Sequence, residues 1–350
     1  MNDGAVSLML REAREAPEVV AGQLGVNSPV FRELAVHFAR VKPRFILTNA
    51  RGSSNNAATY AKYLIETRLG LPVVTAAPSV GALYRAPVNL NQSVMLCLSQ
   101  SGASFDLVEN AKWAASHGAF VISLLNTAGS ALGAASRAVV PLHAGSEHSV
   151  AATKSHIATL SAVLQMVANF GHDPELLGML NALPEQLRRA RALDWSAAVD
   201  ALAHCNQLFV VARGIGLGVA QEAALKFKET CGLNAEAFSG AELLHGPVAL
   251  IREHSVVLLF GQKDETAAGV LALARQLRNA GAVVYTAGVS LLDATPVERA
   301  HALPFVRGIH PVATPLALLQ AFYGLLDVVA RSRGFDPDKP PHLMKVTQTL

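Results

Sequence analysis

The chain has 350 residues, 51% of them hydrophobic and only 16% charged, which supplies core material for about two domains and excludes a disordered chain. Its formal charge of +3 is small and has no basic block behind it, so nucleic-acid binding has no electrostatic footprint. No apolar run approaches the ~18 residues of a membrane span, and the N-terminal MNDGAVSLMLREAREAPEVV carries acids where a signal peptide would be basic; a soluble, cytoplasmic protein is expected.

In chain order, residues 1–24 read as a helical lead. RFILTNA (44–50) is a short β-rich run that enters a Gly turn and an Ala-rich helix over 55–68. A second short run, PVVTAA, precedes the apolar strand SVMLCLS, a helix over 104–117 and the strand AFVISLL. From residue 207 the same order returns as QLFVVA, a helix over 217–231, AEAF, SVVLLFG, a helix over 265–280 and AVVYTA. The return is a repeat in sequence. Ala50-Arg51-Gly52 recurs as Ala212-Arg213-Gly214, and the same offset of 162 carries Gly70-Leu71 onto Gly232-Leu233, Ser93-Val94 onto Ser255-Val256 and Gln100 onto Gln262.

Short apolar runs alternating with longer helices are the signature of βαβ units around a buried parallel sheet. Right-handed crossovers then put helices on both faces. The expected fold is α/β: two flavodoxin-like three-layer αβα subdomains with parallel sheets, over 25–175 and 190–335. A tail over 336–350 follows, which Pro337, Pro340 and Pro341 keep from being helical. The three cysteines, Cys97, Cys205 and Cys231, are odd in number and dispersed. They read as buried small apolar residues rather than a disulfide framework or zinc site. With so few charges, part of the apolar surface is expected to be covered by another subunit, predicting a homo-oligomer.

Function is sought where the two copies differ. In the first, SVMLCL ends in Ser99-Gln100-Ser101-Gly102-Ala103-Ser104 and a helix follows. A hydroxyl-rich turn between the carboxyl end of a parallel strand and a helix N-terminus offers free N–H groups and a positive dipole end, which suit phosphate. A helix cap needs one serine; this turn has three. Gly52-Ser53-Ser54-Asn55 is a second polar turn opening a helix, and Ser54 is placed to complete the cradle. The second copy carries Gly261-Gln262-Lys263-Asp264 at the first of these places, with an acid that repels phosphate. Its Gly214-Ile215-Gly216-Leu217-Gly218 has GxGxG spacing and no acid ending the next strand, so a dinucleotide site is not read there.

The second copy has its own specialities. In EAALKFKET the residues Glu222, Lys226 and Glu229 share one helix face by spacings of four and three. Gly240-Ala241-Glu242-Leu243-Leu244-His245-Gly246-Pro247 then places a histidine in a loop, where catalytic groups are common. No metal spacing links His245 to any other of the twelve histidines.

The segments GSSNNA, LSQSGAS, GSEHSVAATK, ALKFKET, EAFSGAELLHGPVALI and PPHLMKV resemble the sugar-isomerase (SIS) domain pair of glucosamine-6-phosphate synthase and its relatives, over essentially the whole chain. The resemblance implies Ser99, Gln100, Ser101 and Ser104 as the phosphate loop, with Ser54 helping and Gly52, Ser53, Val150 and Ala152 lining the sugar. It implies Glu229 as the base that moves a proton between C1 and C2. His245 would assist ring opening from the partner subunit of a homodimer with shared sites. Lys345 would meet the carbonyl carbon of the open sugar, with Lys226 in support. The family's serine before Thr-Lys is Ala152 here, which removes a hydroxyl near the sugar.

The chain enters the isomerase region almost at once, so glutamine-dependent synthesis is not expected of it. The resemblance points instead to an amino-sugar-6-phosphate deaminase or isomerase, first of all glucosamine 6-phosphate to fructose 6-phosphate and ammonia, with neither a metal nor a redox cofactor required. Another aldose–ketose isomerase, a galactosamine-6-phosphate deaminase, a fructosamine-6-phosphate deglycase and a non-catalytic sugar-phosphate sensor are the alternatives.

Overall fold

The computed structural model describes residues 6–289 and 296–345. The chain runs through α1 (Leu8–Arg14), α2 (Ala16–Val41), β1 (Phe45–Asn49), α3 (Gly52–Leu69), β2 (Val73–Thr75), α4 (Pro78–Ala82), β3 (Ser93–Ser99), α5 (Phe105–Ser116), β4 (Ala119–Leu125), α6 (Ala131–Ala134), β5 (Ala138–Pro141), α7 (Lys154–Phe170), α8 (Pro174–Leu180) and α9 (Leu183–Arg191). It continues with α10 (Val199–His204), β6 (Gln207–Ala212), α11 (Leu217–Cys231), β7 (Asn234–Ser239), α12 (Gly240–Leu244), β8 (Val256–Phe260), α13 (Ala267–Asn279), β9 (Val283–Ala287), α14 (Pro296–Ala300) and α15 (Thr314–Ser332). Residues 346–350 of the expected tail lie outside the described residues.

The chain divides into two compact units. One is five-stranded and spans Glu18–Glu147, Lys154–Pro184 and the chain from Met344; the other is four-stranded and comprises the residues up to Pro17, His148–Thr153 and Glu185–Leu343. The helical lead does not stop near residue 24, because α2 runs on to Val41 with Pro29 inside it.

The five-stranded sheet has the order β2-β1-β3-β4-β5, and every pair is parallel. This is the flavodoxin order, in which the chain reverses direction between β1 and β3 and helices cover both faces. The strand β3 is buried at every residue. Its Met95 and Cys97 pack with Leu107, Val108, Ala111 and Ala114 of α5. Lined up with α3 elsewhere in the unit is α7, all seventeen residues of which are buried.

The four-stranded sheet, β7-β6-β8-β9, is parallel throughout and repeats the first four positions of that order. Phe209, Val211, Val257, Leu259 and Val284 pack against Val270, Leu273, Ala274 and Leu277 of α13. Helix α11 packs on α15. The repeat read from sequence is therefore a repeat of structure. Gly70 and Gly232, which occupy matching positions, end α3 and α11 in the left-handed conformation at φ +64° and +56°, a cap that other residues adopt at a cost.

Candidate active site

In a doubly wound sheet the crevice lies at the carboxyl ends of the strands, where the strand order reverses. In the five-stranded unit that point is between β1 and β3, and the turns leaving these two strands are Gly52–Ser54 and Ser99–Ser104. Gly52, Ser53 and Ser54 belong to the first turn of α3, which begins three residues earlier than the sequence pattern suggested. The N-termini of α3 and α5, with 18 and 12 residues, thus open at neighbouring strand ends and bring their dipoles with them.

Local bonds set the shape of the serine loop. Ser99, at the buried end of β3, accepts the Gly102 N–H at 3.0 Å, and the Ser101 hydroxyl accepts the Ala103 N–H at 3.3 Å. Gly102 is left-handed at φ +61°, and a Cβ there would stand 2.0 Å from Ser130 Oγ; no larger residue fits the turn. Ser104 occupies the N-cap of α5, yet its side chain takes none of the helix's first N–H groups. The Ser101 and Ser104 side chains are half-buried rather than sealed in the core.

Two ties hold the paired turns in register. Arg51 donates to Asp106 Oδ2 at 2.8 Å, joining the start of α3 to the first turn of α5. Asn110 Nδ2 donates to Asn49 Oδ1 at 3.0 Å, and Asn49 Nδ2 donates to the Leu107 carbonyl at 3.0 Å. The Arg51–Asp106 pair was not singled out by the sequence reading. Its only trace there was the Ala-Arg-Gly triplet recurring in both copies.

At the corresponding point in the four-stranded unit, between β6 and β8, Gln262 ties down the loop after β8, and a cavity of about 420 Å³ lies beside it, lined by Ala212, Arg213, Gly240, Leu259, Glu265 and Thr266. Gln262 is 1% exposed, and its Nε2 donates to the Arg213 carbonyl at 2.9 Å, to Asp264 Oδ2 at 2.8 Å and to Thr266 Oγ1 at 2.9 Å. Gly216 lies so near that a Cβ there would be 2.9 Å from Gln262 Oε1. Asp264 supplies the negative charge noted in the sequence, and the Gln262 amide supplies the tether.

The α11 carboxylates lie in the four-stranded unit. Lys226 Nζ stands 2.5 Å from Glu229 Oε2 and 3.3 Å from Glu222 Oε1. The side chains of Glu222 and Lys226 are 0% and 1% exposed, whereas Glu229 is 21% exposed. Burial alone lowers an ammonium's pKa, but here the two carboxylates outweigh it and push Lys226 up to about 12. Lys226 is therefore a fixed cation, and it pins Glu229 in place with one edge of that carboxylate open. His245 ends α12 and is exposed. Val150 and Ala152 are half-buried.

Lys345 Nζ lies 3.2 Å from Glu147 Oε2. The Glu147 side chain is fully buried and also accepts the Ser155 N–H at 3.1 Å and the Ser155 hydroxyl at 2.5 Å. The structure thus groups Glu222, Lys226 and Glu229 on one helix and ties Lys345 to Glu147. Among the described residues, no group of three or more His, Cys, Asp or Glu is arranged to hold a metal ion, and no helix is long and apolar enough to cross a membrane.

The SIS domain family model matches residues 41–169 and 201–302. The chain belongs to the SIS family. The two matched stretches carry the two SIS sheets. Glutamine--fructose-6-phosphate aminotransferase [isomerizing] of Aeropyrum pernix is 31% identical over 359 residues, covering 98% of this chain and 57% of the relative. The same-named protein of Methanothermobacter thermautotrophicus is 31% identical over 344 residues, covering 96% of this chain and 56% of its own length. This SIS chain thus spans a little over half the length of those relatives. Among solved structures, a candidate phosphosugar isomerase from Silicibacter pomeroyi DSS-3 superposes with TM-score 0.89 at 39% identity, covering 95% of this chain and all of that one. The glucosamine-6-phosphate deaminase of Thermotoga maritima superposes at 0.71 with 19% identity over 98% of this chain and all of that one, a likeness of fold alone.

Proposed function

We propose that this SIS protein is a cytoplasmic enzyme that acts on an amino-sugar 6-phosphate, first of all glucosamine 6-phosphate, and converts it to fructose 6-phosphate and ammonia. The observation that carries the reading is the contrast between the two strand-reversal points: one lined by the Ser99–Ser104 hydroxyls and two helix N-termini, the other bordered by the carboxylates of Asp264 and Glu265 and by buried Gln262. A phosphate suits the first and is refused by the second. The names of the relatives, which specify fructose 6-phosphate and phosphosugar isomerisation, point to the same substrate class.

In this reading Ser99, Gln100, Ser101, Ser104 and Ser54 hold the phosphate, and Gly52, Ser53, Val150 and Ala152 line the sugar. His245, acting from the partner subunit of a homodimer, helps open the ring. Glu229 takes the C2 proton of the open-chain aldehyde, and the electron pair moves through C1 to the carbonyl oxygen, which is protonated to give an enolamine. Glu229 then returns its proton to C1, leaving an imine at C2. Water adds to that imine and ammonia departs, so atoms balance as amino sugar plus water to ketose plus ammonia. The Glu229 geometry supports this role: a base fixed by Lys226 loses no entropy in finding its proton. Lys345, held by Glu147, steadies the carbonyl end.

The test is a panel of glucosamine, galactosamine and fructosamine 6-phosphates scored for ammonia release and for ketose phosphate. Turnover of glucosamine 6-phosphate to both products supports the assignment. Interconversion of a nitrogen-free aldose 6-phosphate and ketose 6-phosphate, with no ammonia released from any amino-sugar member, would replace it with a plain aldose–ketose isomerase.

A further inference from the structure

Helix α1 has seven residues, well below the ~12–15 at which an isolated helix becomes even marginally stable in water. Its integrity therefore depends on what is bonded to it. At its start, the two oxygens of Asp338 accept the Leu8 and Met9 N–H groups at 2.7 and 2.8 Å. Ser7 caps the Leu10 N–H at 3.0 Å and donates its own hydroxyl to buried Asp327. Near its end, Gln320 of α15 donates to the Ala13 carbonyl at 3.0 Å.

The helix passes this order on. Glu12 is 2% exposed, and its two oxygens accept the consecutive N–H groups of His148 and Ser149 at 2.6 and 3.0 Å. The Ser149 hydroxyl closes the segment on the Ala151 carbonyl at 2.9 Å. Residues 148–151 lead directly through the stretch that holds Val150 and Ala152. Asp338, seven residues before Lys345, sits on the tail that delivers that lysine. One short helix therefore carries the carboxylate-held end of the tail on one turn and the sugar-lining segment on another.

We propose that α1 couples the tail carrying Lys345 to the sugar-lining segment 148–152, with Asp338 and Glu12 as the positioning residues at its two attachments. Loss of the Asp338 carboxylate frays the first turn, because no cap of comparable charge replaces it. The fraying withdraws Glu12 from the His148 and Ser149 amides, and the sugar wall loosens although its own residues are unchanged. For turnover, the inference rests on the amino-sugar-phosphate reading above; the coupling itself is a property of the apo protein.

Hydrogen–deuterium exchange by mass spectrometry on the full chain, as wild type, Asp338→Asn and Glu12→Gln, tests this. Each substitution keeps the bulk of the side chain but replaces one acceptor oxygen by a donor facing an N–H. Asp338→Asn is expected to speed exchange about tenfold in the peptide over 147–153, while α7, buried along its length, stays protected and certifies the fold. Glu12→Gln should do the same to 147–153. If Asp338→Asn speeds exchange only in 336–345 and leaves 147–153 as slow as wild type, the coupling is overturned. Kinetics with glucosamine 6-phosphate form the second arm, with KM about tenfold higher in both variants and kcat lower in Asp338→Asn alone. A wild type that turns over no sugar phosphate would sink the functional reading, while the exchange data still decide the coupling.

Discussion

The Lys226 ammonium lies 2.5 Å from the Glu229 carboxylate and three residues before it on α11, yet one partner is sealed in the core and the other reaches the surface. At the matching place in the first repeat stands Thr67, whose hydroxyl merely bonds back to the Tyr63 carbonyl at 2.6 Å. The fold itself therefore does not require an acid there. Glu229→Gln keeps length and helix propensity but removes the base, and kcat is expected to fall roughly 10²–10⁴-fold, the usual worth of a positioned general base. Exchange of the substrate C2 hydrogen with deuterated water should vanish in parallel. Exchange at the wild-type rate would assign the proton to another group.

The same ion pair predicts a dependence of stability on alkaline pH. Lys226 titrates at about 12 in the fold against an ordinary 10.5, so its contribution is complete below 10.5 and is lost as pH rises through 12. Lys226→Met removes the cation that lies 3.3 Å from the buried Glu222 carboxylate and should cost about 3–5 kcal/mol near neutrality. Urea unfolding of the two proteins should show that gap constant between pH 6 and 10 and narrowing above it. A gap that widens at high pH would contradict the assignment.

For the phosphate loop, Ser101→Ala combined with Ser104→Ala leaves Ser99, Gly102 and the loop's backbone bonds in place. The melting temperature should hold within a few degrees, while KM for a sugar phosphate rises by about tenfold or more and inorganic phosphate loses its inhibition in proportion. An unchanged KM would move the phosphate elsewhere.

The thiols give a prediction independent of any activity. Burial pushes Cys97 and Cys231 up to about 11, only partly offset by hydrogen bonds from Asn49 and Thr230 respectively, and it raises half-buried Cys205 as well. A thiol at 11 is roughly one-thousandth thiolate at pH 8. A disulfide reagent at that pH should modify Cys205 first and slowly, and all three only after denaturation. Rapid modification of Cys97 in the native protein would be incompatible with its place in β3.

Much of the fold was legible because the physics that sets it is local. Apolar runs of strand length, helix-length intervals and glycines at left-handed caps all leave marks within a few residues, and their recurrence at a fixed offset exposed the two sheets. The serine loop was legible for the same reason. What escaped the sequence depends on side chains meeting across long stretches of chain. Glu147 and Lys345 are 198 positions apart, and Glu12 and His148 are 136 apart; no periodicity connects such pairs. The charge of Asp264 is visible in the second loop's sequence, whereas Gln262 tying that loop to Arg213 and Thr266 is a matter of rotamer that composition does not record. Gly52, Ser53 and Ser54 look like turn residues, and Gly52 does turn, left-handed at φ +54°, while the two serines continue into α3 ahead of the residue 55 start that the pattern suggests.

The glutamine at the second strand-reversal point acts as an internal tether. Its amide holds the loop after β8 to the Arg213 carbonyl, Asp264 and Thr266 without any solute. On the phosphate reading, an anion bound at the serine loop would play the corresponding part in the first half. Binding there stabilises by mass action, about 2.7 kcal/mol at a hundredfold excess over Kd. On that reading the duplicated architecture divides into a ligand-responsive half and a self-tethered half, and a thermal shift with phosphate should report the first.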